Sequence, residues 1–301
     1  AGSADAVPVP LTGRRAAAAV LACSLPIALG FVLPVLFMLR PLAADWSVLP
    51  WDRFVQWAFN SVRLGLISAF LAVLLALLLA YSLRRSGDAV TRGVVRLAGL
   101  GYAVPGAVIV VGLLLPVGWL QRTAPELGWV YWVTGTVLGV VWAYLVRFMA
   151  VALQSMQSGY ARIPATFDDT ARTLGTGPVA LLARVHWPLL RRSAAAAALL
   201  VFIDVMKELP ATILLRPFNT DTLAVVAYQL ARDERLGEAA LPSLALVLVG
   251  LLPVVLLSRT VSSESSRRYF TALGISGPSA LSRSTTKPRS AWMDTLNRLA
   301  R

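Results

Sequence analysis

Charge is scarce in this sequence. Of its 301 residues, 14% are Asp, Glu, Lys or Arg, whereas a soluble globular domain carries about 25%. A chain this poor in charge cannot cover a water-facing surface, which excludes an ordinary soluble domain. Acids are scarcer than bases, 15 against 28, for a net charge of +13. The single cysteine, Cys23, excludes an intramolecular disulfide and any multi-cysteine metal or iron–sulfur site. It lies in an apolar run, where a thiol behaves as a small hydrophobe. The single histidine, His186, excludes a histidine-based metal centre. What the sequence has in plenty is apolar residues, 57% of the total, at a mean hydropathy of +0.70. They come in long runs, which excludes disorder and reads as an all-α, multi-spanning membrane protein. In a soluble protein the basic excess would point to nucleic acid. Here the positions of the charges decide.

Six stretches reach the roughly 20 apolar residues that a spanning helix needs: Ala16–Leu39, Val62–Leu83, Leu97–Leu120, Tyr131–Leu153, Ala194–Leu215 and Ala240–Ser258. The first follows Arg14 and Arg15 like a signal peptide, but it is too long and lacks a small-residue cleavage site, so it reads as a retained span kinked at Pro26 and Pro34. The segments between spans alternate in charge. The start, the second and fourth connections and the end carry +1, +3, +3 and +6; the first, third and fifth connections carry 0, 0 and −1. The positive-inside rule therefore puts both termini and the second and fourth connections in the cytoplasm. Trp46, Trp51 and Trp57 in the first outer connection, and Trp129, Tyr131 and Trp132 around the next, fit an aromatic belt at the outer interface. The basic excess is thus an orientation signal, and no nucleic-acid partner is expected. Residues 1–15 are read as a cytoplasmic segment, 16–259 as the six-span domain and 260–301 as a flexible basic tail. Within the tail, Trp292, Leu296 and Leu299 at i, i+4 and i+7 fit a short helix on the inner leaflet; a disordered end fits as well.

The connection 154–193 is the longest inside. Pro164 suits a helix start, and Phe167, Ala171 and Leu174 recur on one apolar face. Asp168 and Asp169 fall in the first turn, where the helix dipole favours acids. Gly175 and Gly177 are expected to end that helix, since glycine accepts a left-handed cap. Pro178 opens a second short helix through Arg184, and Pro188 closes the unit before Arg191 and Arg192. By amphipathicity alone the first helix would also suit lipid headgroups.

The order Asp169-Thr170-Ala171, three residues, Gly175, nine residues, Val185-His186-Trp187-Pro188 resembles the signature loop of permease subunits of binding-protein-dependent ABC importers. That family's pattern is Glu-Ala-Ala, three residues, Gly, nine residues, Ile, one residue, Leu-Pro. Asp169 and Val185 depart conservatively and Thr170 and Trp187 less so, while Gly175 and Pro188 are kept. The resemblance implies that Phe167, Asp168, Asp169, Ala171, Leu174, Gly175, Gly177 and Pro188 belong to a coupling element that docks into an ATPase subunit. The chain itself has no Gly-rich loop ending Gly-Lys-Ser/Thr, so ATP and Mg are expected on two separate ATPase subunits, with no cofactor or catalytic residue here.

Asp204, Lys207 and Glu208 lie inside the fifth span. Ionisable groups at depth cost about 2.5–3.5 kcal/mol each on insertion scales, so they are paired or face water. At i, i+3 and i+4 the three can share one helix face, and Pro210 breaks the helix beyond them. A translocation site and a structural ion pair fit this cluster equally. Arg63 and Arg147 are read as snorkelling from span ends. The stretch Val201–Asn219, with Asp221-Thr222-Leu223-Ala224 and Ala231-Arg232-Asp233-Glu234-Arg235, is similar to the ferric-iron permeases. That likeness implies import of ferric iron across a bacterial inner membrane, delivered by a periplasmic binding protein. It also implies a second permease unit, in the same chain or as an identical or homologous subunit. The polar start Ala1–Gly13 suits the second unit of a tandem chain. Another small ligand, thiamine or an oxyanion, suits the same class. Two other classes fit less of the sequence: an intramembrane enzyme using Asp204 and Glu208 as an acid pair, and a membrane sensor or scaffold. Both leave the signature loop unexplained.

Overall fold

The computed structural model describes residues 12–272. Residues 1–11 and 273–301 lie outside the described residues, and with them the expected Trp292–Leu299 helix. Two units are distinguished, Ala1–Gly250 and Leu251–Arg301. Among the described residues every regular element is helical: α1 (Gly13–Ile27), α2 (Leu33–Ala44), α3 (Trp51–Arg85), α4 (Ala89–Gly99), α5 (Gly106–Thr123), α6 (Gly128–Gly135), α7 (Val137–Tyr160), α8 (Thr166–Thr173), α9 (Pro178–Leu181), α10 (Trp187–Met206), α11 (Pro210–Leu215), α12 (Leu223–Arg232) and α13 (Leu236–Ala272). In the second unit the described residues are those of α13.

Five stretches among the described residues are long and apolar enough to cross a membrane: Gly13–Ala44, Trp51–Arg85, Gly106–Thr123, Val137–Tyr160 and Leu236–Pro253. The fifth expected span, Ala194–Leu215, is two pieces, α10 and α11, parted at Lys207–Leu209, just ahead of the break expected at Pro210. Proline explains where three expected spans change shape. Pro34 has no N–H to give Gly30 and its ring crowds that carbonyl; the helix widens into a π turn, Ala28–Val32, with Leu33 N–H bonding back to Ala28. Pro105 forces Val104 into extended backbone, so the third crossing starts at Gly106 and not at Leu97. Pro210 begins α11 from the first turn. The fourth expected span divides at Thr136, which is extended and accepts the N–H of Leu138 on its side chain at 3.2 Å.

The core is the mutual packing of α3, α7 and α10. One face of α3 buries Ser61, Gly65, Ala69, Ala72, Ala76 and Ala80, and α10, which packs on α3 and α7, buries Ala194, Ala197 and Val201. Between membrane helices there is no hydrophobic driving force, so close van der Waals contact through small residues does the joining. A Cβ at Gly65 would lie 2.7 Å from the Phe202 ring, and one at Gly159 would lie 2.9 Å from Leu190 Cδ2. The tightest approach to backbone is at Gly101, where a Cβ would lie 1.8 Å from the Val146 carbonyl oxygen of α7. No residue of α1 or α2 is buried.

Backbone cannot move aside as a side chain can, so Gly101→Ala must push the turn after α4 off α7. We expect it to cost about 1–3 kcal/mol, read as a lower melting temperature of the purified protein in detergent. Gly99→Ala, where no atom lies within 4 Å of the added carbon, serves as the neutral control.

Candidate functional site

The connection between α7 and α10 is built from its caps. Gly175 has φ +74°, the left-handed region in which any side chain is strained. Its N–H bonds to Arg172 O at 2.9 Å, and the Thr176 N–H reaches Ala171 O at 2.9 Å. That pair of bonds is the Schellman stop, which satisfies the last carbonyls of α8. Gly177 plays a different part from the one expected: it is extended, at φ −67° and ψ 163°, and precedes α9. Pro188 also differs. It does not close the unit but sits in the first turn of α10, after a π turn, Leu182–His186, that joins α9 to α10. The missing Pro188 N–H leaves Arg184 O without an α-helical partner, and the wider turn accommodates this.

Helix α8 has two unlike sides. Phe167 and Leu174 are exposed, and with Thr170, Ala171 and Val185 they line an open groove of about 390 Å³. Asp169 is exposed as well. Ala171 forms the buried floor of the groove, and on the other side of the helix Asp168 is buried. Asp168 Oδ2 accepts from Arg84 Nε at 2.7 Å, and Oδ1 lies 2.7 Å from His186 Nε2. An ionised carboxylate can only accept, so Nε2 carries a proton. In the neutral ring Nδ1 then faces the Tyr160 hydroxyl, 3.4 Å away. Arg84 also donates to Tyr160 O, Ile163 O and Pro164 O at 3.2, 2.9 and 3.0 Å, so a cation completes the open C-terminal end of α7. Tyr81, one turn earlier on α3, donates to Pro178 O at 2.8 Å. His186 is fully buried between the Tyr81 and Tyr160 rings. Burial works against the Asp168 charge, but the Arg84 and His186 hydrogen bonds outweigh it and hold the carboxyl below the ordinary aspartate range. Its stabilising contribution is therefore complete at neutral pH and is lost only as the pH falls through that lowered value.

The second cluster sits at the break after α10. Asp204 and Lys207 pair at 2.8 Å, with the lysine side chain 64% exposed. Glu208 does not join them, contrary to the expected shared face. The helix ends at Met206, so the i, i+4 relation of Asp204 to Glu208 is lost and Glu208 turns into the core. There its Oε2 lies 3.3 Å from Arg147 Nε, and its Oε1 accepts the Ala211 N–H at 3.3 Å in the first turn of α11. Arg147 is thus no snorkelling residue; it stands midway along α7 and neutralises the buried acid. Gly106 makes room for the pair, since a Cβ there would lie 2.6 Å from Arg147 Nη1 and 2.7 Å from Glu208 Oε1. Thr212 donates to Glu208 O at 2.6 Å and bonds the buried Tyr144 hydroxyl.

The family of binding-protein-dependent transport system inner membrane components matches residues 72–267. The chain belongs to that family. It is an ABC importer permease, and both clusters lie within the matched stretch. Among its relatives, the Fe(3+)-transport system permease protein FbpB 2 of Haemophilus influenzae is 28% identical over 217 residues, 72% of this chain and 40% of the relative. PhnV of Salmonella paratyphi A, named for a 2-aminoethylphosphonate transport system, is 26% identical over 264 residues, 81% of this chain and 94% of the relative. The permease therefore spans about 40% of the length of the iron relative. A bacterial alginate ABC transporter, solved in complex with an alginate pentasaccharide-bound periplasmic protein, shares the fold at a TM-score of 0.62 and 14% identity, covering 80% of this chain and 91% of the other.

Of the expected coupling residues, the structure gathers Phe167, Ala171 and Leu174 at one groove and separates Asp168 from Asp169. Sequence reasoning missed Arg84, Arg147, Tyr160 and His186 as partners. Arg84 counted only as a loop charge and Arg147 as a snorkelling cation, His186 as the lone histidine and a place in the signature, and Tyr160 carried no reading. The signal available was that His186 stands two residues before Pro188 in the signature and that Arg147 lies within an apolar run.

Arg147→Leu leaves Glu208 buried without its cation, a loss of roughly 3 kcal/mol. The double change Arg147→Leu with Glu208→Leu should recover part of that. Melting temperatures of the four proteins of this cycle check the coupling.

Proposed function

We propose that this permease is the membrane subunit of an ATP-driven importer that moves ferric iron, delivered by a periplasmic binding protein, across the bacterial inner membrane. It works with a second permease unit and with two ATPase subunits that carry the Mg-ATP. The observation that carries the reading is the two-sidedness of α8: an exposed apolar groove on one side, and a buried side tied to α3, α7 and α10. A partner pushing on the groove moves packed helices as bodies, the way such transitions usually run. In this reading Phe167, Asp169, Ala171, Leu174 and Gly175 meet the ATPase, while Gly177, Pro178 and Pro188 set the path of the chain into α10. Asp204 and Lys207, partly exposed at the break, border the translocation path. Glu208 and Pro210 keep the helix broken there, as half-helices do in other carriers.

Iron is favoured by the stretch Val201–Asn219 and by the FbpB likeness. A phosphonate is the second reading, favoured by PhnV, which aligns over 81% of this chain against 72% for FbpB.

The test is reconstitution in proteoliposomes with the ATPase and binding protein of the same organism. Ferric-loaded binding protein should stimulate ATP hydrolysis and uptake of labelled iron; stimulation by 2-aminoethylphosphonate alone would replace iron with the second reading, and no stimulation by any loaded binding protein would end the importer reading. Gly175→Val, which costs about 1–2 kcal/mol at a φ of +74°, should lower uptake together with ATPase binding. Lys207→Met should lower uptake without lowering the melting temperature.

A further inference from the structure

We propose that Arg84, Asp168 and His186 form a clamp that makes the coupling helix α8 move as one body with α3, α7 and α10, and that this clamp sets how much ATP hydrolysis becomes transport. The proposal rests on the importer reading but concerns residues on the side of α8 away from the groove.

The geometry converges on one carboxylate. Asp168 is the first acid of α8 and its side chain is 12% exposed. One oxygen is held from α3 by Arg84 and the other from the foot of α10 by His186, both at 2.7 Å. Arg84 in turn grips the end of α7 through Tyr160 O and Ile163 O. Thus a single side chain of α8 is joined to the three helices that make the core. A second tether runs from Tyr81 on α3 to Pro178 O at the start of α9. The guanidinium matters by its shape. It makes four hydrogen bonds in separate directions, which a lysine ammonium on a flexible stem cannot reproduce. His186 is fully buried between two tyrosine rings that meet it edge-on at 5.6 and 5.3 Å, so its ring cannot swing away to release the carboxylate. Elements that transmit a displacement over distance need two ends held rigidly. The groove offers α8 to a partner, and the clamp is what ties it to the transmembrane core. Without the clamp, a push on Phe167 and Leu174 would rotate α8 about the Gly175 turn and leave α3 and α10 where they were. Asp169, one residue later, is exposed and takes no part.

The experiment compares Asp168→Asn, Arg84→Lys and His186→Phe in the reconstituted complex, with Asp168→Glu and His186→Gln as conservative partners; glutamine can still donate from the position of Nε2. Solute taken up per ATP hydrolysed should fall about ten-fold in the first three, within the usual range of coupling between sites. Assembled complex and basal hydrolysis should stay within about two-fold of the parent, while stimulation of hydrolysis by the loaded binding protein, which crosses the same link in the other direction, should fall with the ratio; the conservative partners should restore both. An unchanged ratio overturns the proposal, and so does a parallel fall of assembly, basal hydrolysis and uptake, which would mark the cluster as structural only. A spin label at exposed Thr173, placed as Thr173→Cys in a Cys23→Ser background, reports on α8 directly in the full chain. Its motion should increase in Asp168→Asn and return in Asp168→Glu; equal motion in both overturns the clamp. If the parent complex shows no stimulated hydrolysis, the importer reading fails while the label still judges the clamp.

Discussion

Small residues along one face of α3 let α7 and α10 pack closely around it, and the rest of the molecule is arranged around that contact. Gly65, Ala69, Ala72 and Ala76 supply the face; Gly101 and Gly159 supply the corresponding close approaches to α7 and α10. Where lipid is as apolar as leucine, such packing must do what the hydrophobic effect does in water. It also fixes distances. Polar side chains emerging from three helices in contact can reach one another, and two clusters form on this frame.

The clusters use their charges differently. In the clamp, Arg84 satisfies an ion pair and three backbone carbonyls at once, so the end of α7 and the start of α8 are bonded through the same group. At the break, Arg147 and Glu208 neutralise each other inside the core while Glu208 also receives the Ala211 N–H of α11. A buried acid left alone would be costly; paired, it stabilises a helix that Pro210 has already interrupted. Lys207 and Asp204 remain on the outside of the same break. The four charges therefore divide into an inner pair that shapes the helix and an outer pair beside it.

Much of the site was legible in the chain because caps and breaks are local. The left-handed stop at Gly175, the acidic first turn of α8 and the interruption before Pro210 all follow from a residue and its immediate neighbours. The signature spacing from Asp169 to Pro188 is local in the same sense. Gly177 and Pro188 were misjudged for a related reason: glycine and proline mark a change of backbone without saying which change, and here they begin helical segments where an ending was expected. The third span was read as unbroken because hydropathy averages over a window and passes across Pro105.

The pairings were of another kind. Hydropathy and charge alternation determined an all-helical, membrane-spanning chain with one basic side, since each depends on composition within a segment. Which ion met which counter-ion was decided by the tertiary structure. Arg84 and Asp168 are 84 residues apart, and Glu208 has Asp204 and Lys207 much nearer in sequence than Arg147. Helical periodicity favoured those near neighbours. The helix ended two residues before Glu208, the carboxylate turned inward, and the close contact of α7 placed a cation there to receive it.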